Sequence, residues 1–189
     1  MPVQLRARLL IMKTPVKVAL GGAVAALSLV LMFMTALIPF GTFAFPTFAG
    51  MLLTVIVIEI NFGYAVAVYA ATALLSFLLV PDKEAALIYT IFLGFYPIIK
   101  GLIERIKSKV FQYVIKFALF NGCMIAEFFI AVKLLSISED SYYLFGLNLP
   151  IIFLLLGNVF FFIYDICITR LVTIYLLKWR DKLNKNTKL

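Results

Sequence analysis

The sequence predicts an all-α integral membrane protein: a six-transmembrane-helix bundle with both termini cytoplasmic. Three observations carry that expectation. The chain is 65% hydrophobic and only 14% charged, where a soluble domain carries about 25% charged residues. Its mean hydropathy is +1.11, and its apolar stretches are long and continuous. They approach the ~20 residues that cross a ~30 Å hydrocarbon layer, and they do not alternate as barrel strands do. Its basic residues gather on alternate connections between those stretches, as the positive-inside rule requires.

The elements follow in order. Residues 1–15 form a basic N-terminal segment with Arg6, Arg8 and Lys13, in which LRARLLIM reads as a short interfacial helix. It runs into a full-length span without an A-x-A-like site, so no cleavable signal is expected. Span one covers 16–38, and its first half is rich in small residues: Ala19, Gly21, Gly22, Ala23, Ala25 and Ala26. Ala19 and Ala23 are four apart, as are Gly22 and Ala26, so each pair lies on one helix face. Faces of this kind let a second helix approach closely, which is how packing is gained where lipid removes the hydrophobic drive. That helix is either another span of this chain or a separate membrane partner docking on Ala19, Gly22, Ala23 and Ala26.

The connection IPFGTFAFPT follows. Pro39, Gly41 and Pro46 stop the helix. The aromatics between them, Phe40, Phe43, Phe45 and Phe48, either sit in an interfacial belt or form a lid over an apolar ligand. Span two covers 47–61, with Glu59 near its end, and Asn61 and Gly63 make a turn. Span three covers 63–80. In the polar break PDKEA (81–85), Pro81 stops one helix and Asp82 caps the next. Span four covers 85–103 and should bend at Pro97, which lacks a backbone donor. The basic residues Arg105, Lys107 and Lys109 come next, then span five (110–135) and an acidic, aromatic loop (136–148). Span six covers 149–177, roughly 43 Å at ~1.5 Å per residue, so it should tilt or project from the bilayer. The tail 179–189 is polar and basic.

Six spans put both termini and all three basic clusters on one side. The whole chain, 1–189, is then a single multi-pass domain of the cell membrane. The net charge of +8 is accounted for by topology and by anionic lipid, so no nucleic-acid partner is expected.

Ionisable residues inside a bilayer need a partner or a watery cavity. An inner layer holds Glu59, Lys100, Glu104, Lys116 and Arg170. Lys100 and Glu104 are four apart and can pair on one helix, and Lys116 is expected to reach Asp165 or Glu59. This layer is either a structural set of ion pairs or a surface for a partner. An outer and middle layer holds Tyr89, Asn121, Glu127, Asn158, Tyr164 and Asp165. Asn158 and Asp165 share one face of span six; Lys116, Phe120, Cys123 and Glu127 share one face of span five. If both faces turn inward they line an apolar pocket with a few orienting polar groups. The candidate substrate-binding residues are Phe43, Phe45, Tyr89, Asn121, Glu127, Asn158 and Asp165. The alternative is that these groups only hold the bundle together.

The chain has no histidine, which removes histidine metal ligands and histidine acid–base catalysis. Cys123 and Cys167 fall within spans and read as small buried apolar residues, so no metal or cofactor is expected. G-x-S-x-G, H-E-x-x-H and G-x-x-x-x-G-K-[ST] are all absent, so no catalytic residues and no enzyme activity are expected. Without a P-loop, any active uptake must draw its energy from another subunit or from an ion gradient.

The layout, with Ala19-Leu20-Gly21-Gly22-Ala23 in the first span and Pro39–Thr47 after it, resembles the substrate-binding S component of energy-coupling factor transporters. Those are six-span proteins of about this length, with an Ala-x-x-x-Ala motif in the first helix and a long external loop after it. The resemblance implies that Ala19 and Ala23 contact a membrane coupling subunit. It implies that the outer polar groups bind a vitamin or similar micronutrient, and that separate ATPase subunits power toppling of the whole component. MreD-type rod-shape proteins share a similar six-span layout and act instead as protein-binding scaffolds.

Overall fold

The computed structural model describes residues 14–38, 41–134, 143–144 and 147–179. Among these residues the regular structure is helical apart from a two-residue antiparallel pairing of Tyr143–Leu144 with Leu147–Asn148. The expected N-terminal interfacial helix, most of the 136–148 loop and nearly all of the basic tail lie outside the described residues.

Among the described residues seven α-helices follow one another: α1 (Thr14–Leu37), α2 (Ala44–Glu59), α3 (Phe62–Leu79), α4 (Lys83–Ile88), α5 (Tyr96–Ile103), α6 (Lys109–Leu134) and α7 (Leu149–Ile174). A π-helical turn, Tyr89–Leu93, joins α4 to α5, so Lys83–Ile103 forms one span; a second, Tyr175–Trp179, ends α7. Among the described residues five spans are long and apolar enough to cross a membrane: Thr14–Leu37, Phe62–Leu79, Lys83–Ile103, Lys109–Lys133 and Ile152–Leu177. This is a multi-pass helical membrane protein. The expected second span differs from the other five. It starts at Ala44, with Pro46 in its first turn where no backbone donor is needed, and it is a 16-residue helix. At ~1.5 Å per residue it is roughly 24 Å long, short of the ~30 Å hydrocarbon layer.

The span Lys83–Ile103 is the centre of the bundle. Of its most apolar stretch 67% is buried, against 17% to 28% in the other four spans. On one side of it α1, α2 and α3 build a core around Met32, Leu53, Ile56, Ala65 and Val68. On the other side α6 and α7 contribute Phe120, Phe161, Tyr164 and Ile168. The buried face of α1 is Gly21, Val24, Ser28, Met32 and Thr35. A Cβ on Gly21 would meet the Val68 side chain at 3.0 Å, so glycine lets α3 close against α1.

The break in the central span has clear chemistry. The N–H of Gly94 donates to Tyr89 O, five residues back, at 2.8 Å. The Thr90 carbonyl accepts from the Tyr69 hydroxyl instead. Pro97 cannot donate to Leu93 O, and that carbonyl accepts from the Tyr164 hydroxyl at 2.9 Å. The irregularity therefore lies on the turn before Pro97, and two tyrosines satisfy the carbonyls it frees. A Cβ on Gly50 would sit 2.0 Å from Leu93 O, so α2 lies directly against this turn.

Candidate functional site

Three helices converge on one carboxylate. α5 carries Tyr96 and Lys100 on one face, four residues apart, with Glu104 one further turn along as its C-cap. α6 brings Lys116 and α7 brings Asp165. Lys100, Lys116 and Asp165 are 3%, 3% and 4% exposed. Asp165 Oδ1 accepts from the Tyr96 hydroxyl and from the Lys100 ammonium. Lys116 Nζ lies 3.0 Å from both Asp165 oxygens. Glu104 Oε1 bridges the two lysines, 2.7 Å from Lys100 Nζ and 2.9 Å from Lys116 Nζ. Lys100 also donates to Asp165 O at 3.2 Å. Each ammonium thus meets three acceptor atoms, the number of protons it carries. Two cations and two anions leave the cluster neutral, which is how four such charges persist at membrane depth.

Glu104 lies just beyond the central span and its side chain is 38% exposed. Partial burial pushes its carboxyl up, but hydrogen bonds from Lys100 and Lys116 prevail and hold it below the usual carboxylate range.

Aromatic rings close the cluster on the side away from Glu104. Tyr96 stacks on Phe92 at 5.1 Å and meets the edge of Phe161 at 5.1 Å. Phe161 stacks on Phe120 at 4.8 Å. Phe120 in turn lies over Gly157, where a Cβ would meet its ring at 3.1 Å. Phe92 also meets the edges of Phe120 and Phe161, at 5.2 and 5.5 Å.

The seven candidate substrate-binding residues do not converge. Phe43 is exposed, and the Phe45 ring lies against Gly41. Tyr89 is fully buried in the α1–α3 core, 6.2 Å from the Tyr69 ring. Asn121 and Asn158 do meet, through two reciprocal amide hydrogen bonds of 2.9 Å. Each also donates to the carbonyl four residues back, Phe117 O at 2.8 Å and Leu154 O at 2.7 Å. Glu127 is half-buried one helical stretch further along α6. Asp165 belongs to the ion cluster. Cys123 is half-buried and Cys167 exposed, both free thiols, so the expectation of two buried cysteines holds only in part. Arg170 is exposed on α7.

The candidate docking residues share one setting. Ala19, Gly22, Ala23 and Ala26 are all exposed, and nothing lies within 4 Å of a Cβ built on Gly22. Only the adjoining face of α1 packs inside the bundle. Sequence reasoning had no role for Tyr96 at Asp165; its signal was the i, i+4, i+8 spacing of Tyr96, Lys100 and Glu104 on one face. It also missed Thr42, whose hydroxyl donates to Asp82 Oδ2 at 3.1 Å and ties the aromatic connection to the cap of α4.

Comparison with known proteins finds no matching family model, no matching curated protein and no matching solved structure. Chemically, the arrangement neutralises two buried ammoniums with two carboxylates. Among the described residues no group of three or more acidic or cysteine side chains is placed to hold a metal ion.

Proposed function

We propose that this protein is a solute-uptake subunit of the cell membrane. It captures a vitamin or similar small micronutrient from outside and delivers it with a separate ATP-driven coupling module. The observation that carries this reading is the open small-residue face of α1. Among the described residues, Ala19, Gly22, Ala23 and Ala26 are exposed, and nothing lies within 4 Å of a Cβ built on Gly22. Such a face gains little from lipid but much from a second helix brought into close contact. In this reading α2 joins the five longer spans as a sixth, short crossing, and both termini lie in the cytoplasm, as the basic residues Arg105, Lys107 and Lys109 favour. The partners are a membrane coupling subunit and its ATPases.

A protein-binding scaffold of the MreD type is favoured by one observation. Asn121 and Asn158 satisfy each other, and the neighbouring Phe120 and Phe161 stack at 4.8 Å, which suits a packed core better than a solute pocket. Native mass spectrometry of the gently purified protein separates the two readings. A stoichiometric vitamin-sized molecule supports the uptake subunit. An empty protein carrying another membrane protein supports the scaffold.

A further inference from the structure

The ion cluster is asymmetric in access. The side chains of Lys100, Lys116 and Asp165 are 4%, 4% and 6% exposed, while that of Glu104 is 38% exposed. Three members are sealed among α5, α6 and α7, and the fourth stands at the surface. Glu104 is also poorly placed for an anion in its own helix. It caps the C-terminus of α5, where the helix dipole disfavours negative charge. Only the two ammoniums that converge on its Oε1 hold it there. With Glu104 turned out to water, two lysines and one aspartate remain, a net charge of +1 facing the surface. A singly charged phosphodiester restores neutrality. Arg105, Lys107 and Lys109 are all exposed on the connection that follows. With Ile103 ending the apolar span, the topology proposed above puts this end near the lipid headgroups, and basic pockets between membrane helices bind such groups.

We propose that Lys100 and Lys116 form a phosphate-binding site in which the Glu104 carboxylate is a displaceable internal stand-in for the ligand. The phosphate is that of an anionic lipid headgroup or of a soluble phosphate compound. The site holds whether or not the chain carries a solute from the opposite face. Three buried charges are themselves in need of a role, because apolar side chains of similar size often hold helices together as well as a buried ion pair does.

The test uses the full chain and Glu104→Gln in nanodiscs. Melting temperature is read in pure phosphatidylcholine, in phosphatidylcholine with phosphatidylglycerol, and in phosphatidylcholine with inorganic phosphate. Glu104→Gln should gain about 3 °C or more from its ligand, on the scale that ~1 kcal/mol sets for a protein of this size. The wild type should gain much less, because its own carboxylate competes. A gain with phosphatidylglycerol alone assigns the lipid; a gain with inorganic phosphate assigns the soluble compound. Equal shifts in both proteins, or none in either, overturn the proposal. If Glu104→Gln does not fold, Glu104→Ala takes its place. Native mass spectrometry then adds an independent readout. The variant should retain one more phosphatidylglycerol or phosphate than the wild type, and equal retention overturns the site.

Discussion

Lys116 and Asp165, 49 residues apart in sequence, meet with the ammonium nitrogen 3.0 Å from each carboxylate oxygen. This contact joins α6 to α7 below the aromatic rings, and Lys100 extends it to α5. Asp165 is the acceptor on which three donors converge. Asp165→Asn leaves two buried ammoniums with only Glu104, and the expected loss is about 3–5 kcal/mol. Replacing Lys100, Lys116, Glu104 and Asp165 together with Met, Met, Gln and Leu should restore most of that. Denaturant titration in mixed micelles checks both. A single variant as stable as the wild type would show that the contact holds little.

Acid should weaken the same junction in a defined direction. Glu104 has a folded-state pKa below its unfolded value. Its contribution is therefore complete above the unfolded carboxylate range and is lost as pH falls through the folded value. Melting temperature against pH should drop more steeply on the acid side for the wild type than for Glu104→Gln. Parallel curves would remove Glu104 from the account.

The small-residue face of α1 should tolerate bulk without loss of fold. Ala19→Leu with Ala23→Leu adds side chains only at exposed positions, so the melting temperature should stay within a degree or so of the wild type. Co-purification of a coupling subunit should fall by an order of magnitude or more. Assembly unchanged by both leucines would end the docking role.

Asn121 and Asn158 form a closed pair. Asn121→Ala should cost about 0.6–1.7 kcal/mol, the range for interhelical hydrogen bonds in membranes. Asn121→Leu with Asn158→Leu should cost less than twice that, since no amide is then left unpartnered. If the double variant also loses a bound solute that the wild type carries, the pair opens to bind.

Gly50 should be intolerant. A Cβ there lies 2.0 Å from Leu93 O and 3.0 Å from the Tyr164 hydroxyl that bonds the same carbonyl. Gly50→Ala forces α2 off the central span, and a loss of about 1–3 kcal/mol is expected from the overpacking. Gly22→Ala, with open space around it, is the control.

Much of this was legible in the chain. Helix boundaries followed Pro39, Asn61 and Asp82, because each of these residues has a local backbone reason to stop or start a helix. Asn61 accepts from Tyr64 N at 2.8 Å and Asp82 from Ala85 N at 3.0 Å. The pairing of Lys100 with Glu104 followed from i, i+4 spacing; for Lys116 the sequence left Asp165 and Glu59 open, and the structure pairs it with Asp165. What could not be read was which polar groups satisfy each other across helices. Asn121 and Asn158 look like ligand groups until their helices are docked. Tyr164 looks like another until Pro97 is seen to leave a carbonyl in need of a donor.

The π turn has a consequence for how the two halves of the molecule are keyed together. Tyr89 and Tyr96 are seven residues apart, and in an uninterrupted helix of 3.6 residues per turn they would point almost the same way. Here Tyr89 lies in the core shared with α1–α3 and Tyr96 in the core shared with α6 and α7. One surplus residue has changed the phase of the rod, so that each end engages a different neighbour, like a key cut on two edges. Deleting a single residue between Thr90 and Leu93 would leave the two rings six apart in a regular helix, roughly 240° around the axis and still on different faces. The π turn thus lets seven residues turn the rod as six would, and each ring keeps its own group of helices on one common axle.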